Sequence, residues 1–169
     1  MHITIYGSIS INGYVADLEE RTEWVSSISK GYIKNLVENY DAVVLGKHSY
    51  EANRADFPYG SCFNVVLSSD SNLYQADQKI LFTDKSPKDL VKYLHERGLE
   101  KALVIGGGIT NTRFLTENIV DEILFSVHPL ILGKGVKVFN DFEGMHGLKL
   151  IDFKNLNDDL LLMHYEVKK

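Results

Sequence analysis

Short runs of β-branched and apolar residues recur along the first part of the chain: His2–Ile9 (HITIYGSI), Asp41–Gly46 (DAVVLG), Cys62–Ser68 (CFNVVLS), Lys79–Thr83 (KILFT) and Lys101–Gly106 (KALVIG). Each is closed by Gly, Ser, Thr or Ile rather than by charge, the pattern of central β-strands. Between them the period changes to that of a helix. Ile33, Leu36, Val37 and Tyr40 fall on one helical face, and Leu90, Val91 and Leu94 fall on another. The second of these helices has clear ends. Ser86–Asp89 supplies an N-cap serine, a proline at the first helical position and an acid three residues on, and Gly98 stands where a left-handed terminating residue belongs. Such alternation predicts a mainly parallel sheet with helices on both faces.

Beyond Asn118 the pattern becomes strand-like throughout. Val120–Leu132 reads as a long strand interrupted at Pro129, and the tail from Leu148 alternates around the turn-forming NLNDD as an antiparallel hairpin. The expected sheet is therefore mixed, with antiparallel C-terminal strands at one edge. Between these segments, LGKGVKVF reads as a turn between strands rather than a phosphate loop, because no strand-to-helix transition follows.

Composition narrows the setting. With 169 residues, 44% of them hydrophobic, and no linker or repeat, the expectation is one domain over 1–169. The formal charge of −5 argues against broad attraction to nucleic acid or to an anionic membrane. No apolar run has the length of a membrane span, and the N-terminus lacks the pattern of a signal peptide, so a cytoplasmic protein is expected. Cys62 is alone and reads as a buried, inert thiol. The six histidines are dispersed without metal-ligand spacing, so no metal is expected. A small-molecule substrate is the expected partner, and association into a homodimer is left open.

The candidate chemistry lies at the strand ends. Gly106, Gly107 and Gly108 leave a central strand, and Ile109–Glu117 then reads as a helix with Phe114 and Leu115 on its buried side. Ligands of open α/β sheets bind at that end, where bare backbone and a helix N-terminus suit a phosphate. Alone, the triplet is equally consistent with a tight turn. A second strand ends in Gly46 and is followed by Lys47, His48 and Ser49; a third ends in Ser68 and Ser69. Each feature singly reads as a helix start or turn, and together they favour a ligand with several phosphates. Trp24, with Val25 and Ile28, reads as a core-facing helix start, with a place near the substrate mouth as the alternative.

In order and spacing, VVLGKHSYE, FNVVLSSD and ALVIGGGITNTRFL resemble the three NADP-binding segments of the dihydrofolate reductase superfamily. SISINGYVAD and DEILFSVHPLILGKGVKVF resemble more closely the reductase domain of bacterial riboflavin biosynthesis and its stand-alone relatives. The resemblance implies a three-layer α/β/α fold and an NADPH-dependent oxidoreductase, NADH being the lesser expectation. It implies that Lys47, His48 and Ser49 contact cofactor phosphates, and that Ser68 and Ser69 lie near the adenosine ribose and its 2′-phosphate. It also implies a cis peptide between Gly106 and Gly107, main-chain donors at Gly108, Ile109 and Thr110, and a first loop around Asn12 and Gly13 over the nicotinamide.

The departures bear on the substrate. SISKGYIKN lacks the carboxylate that holds a pterin, Glu23 and Asp17 being the nearest acids, and FPYGSC lacks the arginine that binds a folate tail. Ser10-Ile11-Asn12-Gly13 replaces the Ser-x-Asp-Gly of riboflavin-pathway reductases, and no deaminase segment is present. Asp70 would repel a 2′-phosphate if it pointed inward. The expectation is a reductase of a small pyrimidine- or pterin-like heterocycle or other conjugated substrate, with 5-amino-6-(5-phosphoribosylamino)uracil reductase as the nearest type. Its proton would come from water positioned by Asn12 or Asp17. The rival is a nucleotide-binding or interaction module that keeps the fold without catalysis.

Overall fold

A computed structural model describes residues 1–73 and 78–169. Among the described residues, strands β1 (His2–Ser10), β2 (Tyr14–Ala16), β3 (Ala42–Gly46), β4 (Phe63–Leu67), β5 (Ile80–Thr83), β6 (Lys101–Val104), β7 (Glu122–His128), β8 (Val136–Lys137), β9 (Leu148–Asn155) and β10 (Leu161–Val167) alternate in part with four α-helices. These are α1 (Ser27–Leu36), α2 (Lys47–Ala52), α3 (Pro87–His95) and α4 (Gly108–Thr116). The main sheet runs β5-β4-β3-β6-β1-β7-β10-β9. Its first six strands are parallel and β10 and β9 are antiparallel, which is the mixed arrangement expected from the sequence.

Strand parity explains the layers. Ile3, Ile5, Val44, Val65 and Val104 point to the face covered by Leu90 and Leu94 of α3 and Phe114 and Leu115 of α4. Tyr6, Val43, Leu103 and Leu124 point the other way, where Ile33 and Leu36 of α1 pack. Leu45 and Val66 continue that second face beneath Tyr50 of α2. Central strands buried on both faces need apolar residues at both parities, and this is why β3 reads as an unbroken AVVL.

The ends of α3 are those the sequence predicts. Ser86 Oγ accepts the Asp89 N–H at 3.1 Å and Gly98 takes a positive φ of 78°. Helix α1 is capped by Ser26, whose side chain accepts the Ser29 N–H, and gives way at Val37 to a single 3₁₀ turn. Trp24 and Val25 therefore precede the helix rather than start it.

Two differences lie near the first loop. The predicted strand Val120–Leu132 is ordered as β-structure only over Glu122–His128, because Pro129 has no N–H for a ladder. After the turn at Gly133–Gly135, Val136 and Lys137 pair with β2 in a separate two-stranded sheet that strand periodicity could not disclose in segments so short. This pairing ties the first loop to the segment preceding Phe139.

Candidate active site

Six parallel strands end at one edge of the sheet, and the loops that follow five of them enclose a groove of about 1010 Å³. It runs from Asp84 after β5, past Ser68 and Ser69 after β4 and Gly46–Ser49 after β3, to Gly106–Gly108 after β6 and Tyr6–Ser8 within β1. Four inter-strand steps of about 4.8 Å give a length of roughly 19 Å.

The floor of the groove is backbone held by close approach. The Gly46 N–H donates to the Gly106 carbonyl at 2.8 Å, joining two of the glycine turns directly. A Cβ on Gly46 would lie 2.6 Å from Thr110 Oγ1, and one on Gly108 would overlap the Lys137 carbonyl. Gly106 has φ +95° and is joined to Gly107 by a cis peptide bond. Gly107 is the N-cap of α4, and the first intrahelical bond runs from the Asn111 N–H to its carbonyl. The N–H groups of Gly108, Ile109 and Thr110 precede that bond and have no acceptor within the helix. No acidic residue opposes an anion in this first turn. Asn111 is 1% exposed, donates Nδ2–H to the Val138 carbonyl at 3.0 Å, and leaves its buried Oδ1 without a partner beside Gly106.

Lys47 and His48, predicted to meet phosphates, lie at this end of the sheet, and each has a carboxylate beside it. Lys47 Nζ lies 2.8 Å from Asp70 Oδ2 and 3.8 Å from Glu51 Oε1. The hydrogen bond from Lys47 holds the Asp70 carboxyl below its ordinary pKa, and the same bond raises that of Lys47. His48 is exposed, with Nδ1 3.4 Å from Glu20 Oε1 on the first loop. Ser49 lies against Gly107, its Oγ 3.3 Å from where a Cβ would stand. Ser68 is buried and its Oγ accepts the Asp70 N–H at 3.0 Å; Ser69 is exposed.

At the β1 end the wall is made of hydroxyls. Ser29 Oγ, fully buried, lies 2.8 Å from Ser8 Oγ, 3.0 Å from Tyr6 OH and 2.6 Å from Ser126 Oγ. Lys30, Ile33 and Lys34 of α1 and Thr22 and Glu23 of the first loop complete this end. The hydroxyl cluster escaped sequence reasoning. Its signal was the polar residues Ser8 and Ser126 at positions whose parity places them under a helix.

Asn12, Gly13 and Asp17 do not line the groove. Asn12 Nδ2–H donates to the Leu132 carbonyl at 2.7 Å, and its Oδ1 accepts from Ser10 Oγ and the Leu132 N–H. The Gly13 carbonyl accepts the Val138 N–H, and φ is +84° at this residue. Asp17 accepts the Glu19 and Arg21 main-chain N–H groups and pairs with the Arg21 guanidinium at 2.7 Å. The Arg21 N–H is the largest influence holding its carboxyl below the ordinary range. These residues shape the first loop, and the loop's Glu20, Thr22 and Glu23 face the groove instead.

Trp24 packs edge-on against His128, with ring centroids 5.2 Å apart, and lies outside the groove lining. His128 Nε2 accepts the Ser26 N–H and Nδ1 faces the Ser126 carbonyl, which fixes Nδ1 as the protonated nitrogen; burial lowers its pKa. Burial likewise pushes the half-buried Cys62 thiol up to about 11, so it is not a nucleophile at neutral pH. Among the described residues no helix is long and apolar enough to cross a membrane.

Relatives share this architecture across the whole chain. A protein of Shewanella sp. PV-4 provisionally ascribed to riboflavin biosynthesis superposes with a TM-score of 0.83 at 25% identity, covering 100% of both chains. The deaminase/5-amino-6-(5-phosphoribosylamino)uracil reductase of Thermotoga maritima gives a TM-score of 0.81 at 17% identity, over 98% of this chain and 56% of that one. In sequence, YwjB of Bacillus subtilis (strain 168) is 24% identical over 168 residues, 95% of each protein. The model of the family described as the RibD C-terminal domain matches residues 1–162, from ahead of β1 to the start of β10, and the chain belongs to that family.

Proposed function

We propose that the chain is an NAD(P)H-dependent reductase that passes a hydride to a small pyrimidine- or pterin-like heterocycle. The observation that carries this reading is the single groove over five strand ends, with bare glycine backbone and the free N–H groups of α4 at its middle. A ligand with two nucleotide halves joined by a pyrophosphate matches that layout, because dinucleotides cross α/β sheets at strand carboxyl ends. The unpartnered Asn111 Oδ1 beside Gly106 fits as an acceptor for a ligand donor at this point. Gly106–Thr110 and Ser49 would hold the pyrophosphate, and Lys47, Ser68 and Ser69 the adenosine end.

When bound, reduced nicotinamide supplies the hydride. The chain's own part is to position the acceptor and exclude water. Tyr6, Ser8 and Ser29 form a neutral hydrogen-bonding wall suited to a flat ring carrying carbonyl and amino groups. Lys30 and Lys34 flank it and suit a substrate bearing negative charge. Asn12 and Asp17 serve the reaction by fixing the first loop, and Glu23 is the carboxylate that this loop turns towards the substrate end. A water held there delivers the proton that accompanies the hydride.

The test is loss of reduced-nicotinamide absorbance when the protein meets candidate aminouracil and reduced-pterin acceptors. Turnover dependent on both the heterocycle and an intact Ser29 supports the reading. Tight dinucleotide binding with no turnover on any conjugated acceptor favours the non-catalytic binding module.

A further inference from the structure

Asp70 is the carboxylate nearest Lys47, the only lysine among the described residues to line the outer half of the groove. The Lys47 side chain leaves the β3 end and crosses towards β4, where its Nζ meets Asp70 Oδ2 at 2.8 Å. Its charge therefore sits beyond the pyrophosphate position at Gly106–Gly108 and beside Ser68 and Ser69. A phosphate on Lys47 at this end is one attached to the adenosine ribose, and it would lie within about 5 Å of the Asp70 carboxylate.

We propose that Asp70 sets the cofactor preference of the groove, restraining affinity for a 2′-phosphorylated dinucleotide so that NADH and NADPH bind within about tenfold of one another. The inference rests on the dinucleotide reading of the site. With Glu51 Oε1 also 3.8 Å from Lys47 Nζ, the corner carries two carboxylates for one ammonium and is net negative. Asp84, after β5, lines the same end and adds to that sign. A cation so neutralised gives a 2′-phosphate dianion little net attraction, whereas a 2′-hydroxyl is uncharged and meets no repulsion. Asp70 is held firmly for this role: Oδ1 accepts the Asn72 N–H at 3.1 Å and Asn72 Nδ2 at 3.0 Å, and its own N–H is anchored on Ser68 Oγ.

The experiment is paired titration of NADH and NADPH into wild-type protein, Asp70→Asn and Asp70→Asn/Lys47→Gln. Asn keeps the oxygen that Asn72 uses and removes only the charge. Asp70→Asn is expected to tighten NADPH by roughly five- to fiftyfold, the range for losing one like charge at this separation in a partly screened site. NADH should change by less than about twofold. The gain should shrink as salt is raised, and the double variant should fall back to about the wild-type affinity, because it loses the Lys47 attraction together with the Asp70 repulsion. If both dinucleotides bind and Asp70→Asn leaves their ratio unchanged, the inference is wrong while the functional reading stands. If the wild type prefers either dinucleotide by clearly more than about tenfold, the inference is also wrong. If neither dinucleotide binds any of the three proteins, the functional reading falls and the inference with it.

Discussion

Replacing Gly107 and Gly108 one at a time with alanine separates the glycine that packs from the one proposed to face a ligand. A Cβ on Gly108 would overlap the Lys137 main-chain carbonyl and lie 2.9 Å from Asn140 Oδ1. Lys137 belongs to β8, which is paired with β2, so α4 would have to lift off the small sheet to make room. Over-packing costs about 1–3 kcal/mol, and a backbone obstacle puts Gly108→Ala at the upper end. Gly107 differs in every respect. Its φ of −68° is ordinary for an L-residue, and the added Cβ meets only Ser49 Oγ at 3.3 Å, a side chain free to rotate away. The cost there is the N-cap difference between glycine and alanine, under about 1 kcal/mol. That methyl would nevertheless stand in the groove between Gly107 and Ser49, in the space proposed for a pyrophosphate. Urea denaturation read by circular dichroism should show a large fall in midpoint for Gly108→Ala with unchanged slope, and a small one for Gly107→Ala. Dinucleotide affinity should fall at least about tenfold in Gly107→Ala. Equal destabilisation of the two variants, or normal binding by Gly107→Ala, would refute the assignment of Gly107 to the ligand.

Three further outcomes follow from the same geometry. Ser29→Ala removes the shared partner of Tyr6, Ser8 and Ser126 and should cost about 1–2 kcal/mol of stability, softened because Ser8 can turn to water in the groove; no loss in chemical denaturation would remove the cluster from the account. His128 is neutral in the folded protein and its pKa is lowered by burial, so between about 6.5 and that lower value the unfolded chain binds the extra proton. Stability attributable to it is therefore full above that window and is lost as pH falls through it, and His128→Asn should show a shallower fall in melting temperature from pH 7.5 to 5 on the order of tenths of a degree or more; identical slopes would show that the imidazole is not held neutral. Asn12→Ala should lower kcat/KM several-fold by loosening the first loop from Leu132 while leaving the pH profile of the rate in place, since an amide does not titrate; a shifted profile would place a titrating group under its control.

Much of this arrangement is legible in the chain because buried parallel strands and capped helices have strong local signatures. AVVL in β3 and the Ser-Pro-x-Asp start of α3 state their structure without reference to anything distant. The strand-end glycines, Lys47, His48, Ser49, Ser68 and Ser69 are legible as a group because parallel strands must all end at the same edge. Asn12 and Asp17 show where sequence reasoning stops. Their chemistry suits catalysis, but their direction is set by contacts 120 residues away at Leu132 and by the local Arg21, respectively. The β2–β8 pair is similarly illegible, since two or three residues carry no period. Asp70 reads in sequence as a neighbour of Ser69, and only the fold reveals that it sits on Lys47.

Whether a nicotinamide dinucleotide lies in the groove over the strand ends is tested most directly by amide hydrogen exchange with and without saturating NADPH or NADH. Protection is predicted at Gly106–Thr110, with weaker protection at Gly46–Ser49 and Ser68–Ser69, and none along the exposed strand β9 at the far edge of the sheet. Exchange unchanged at Gly106–Thr110 by either dinucleotide at millimolar concentration would contradict that placement.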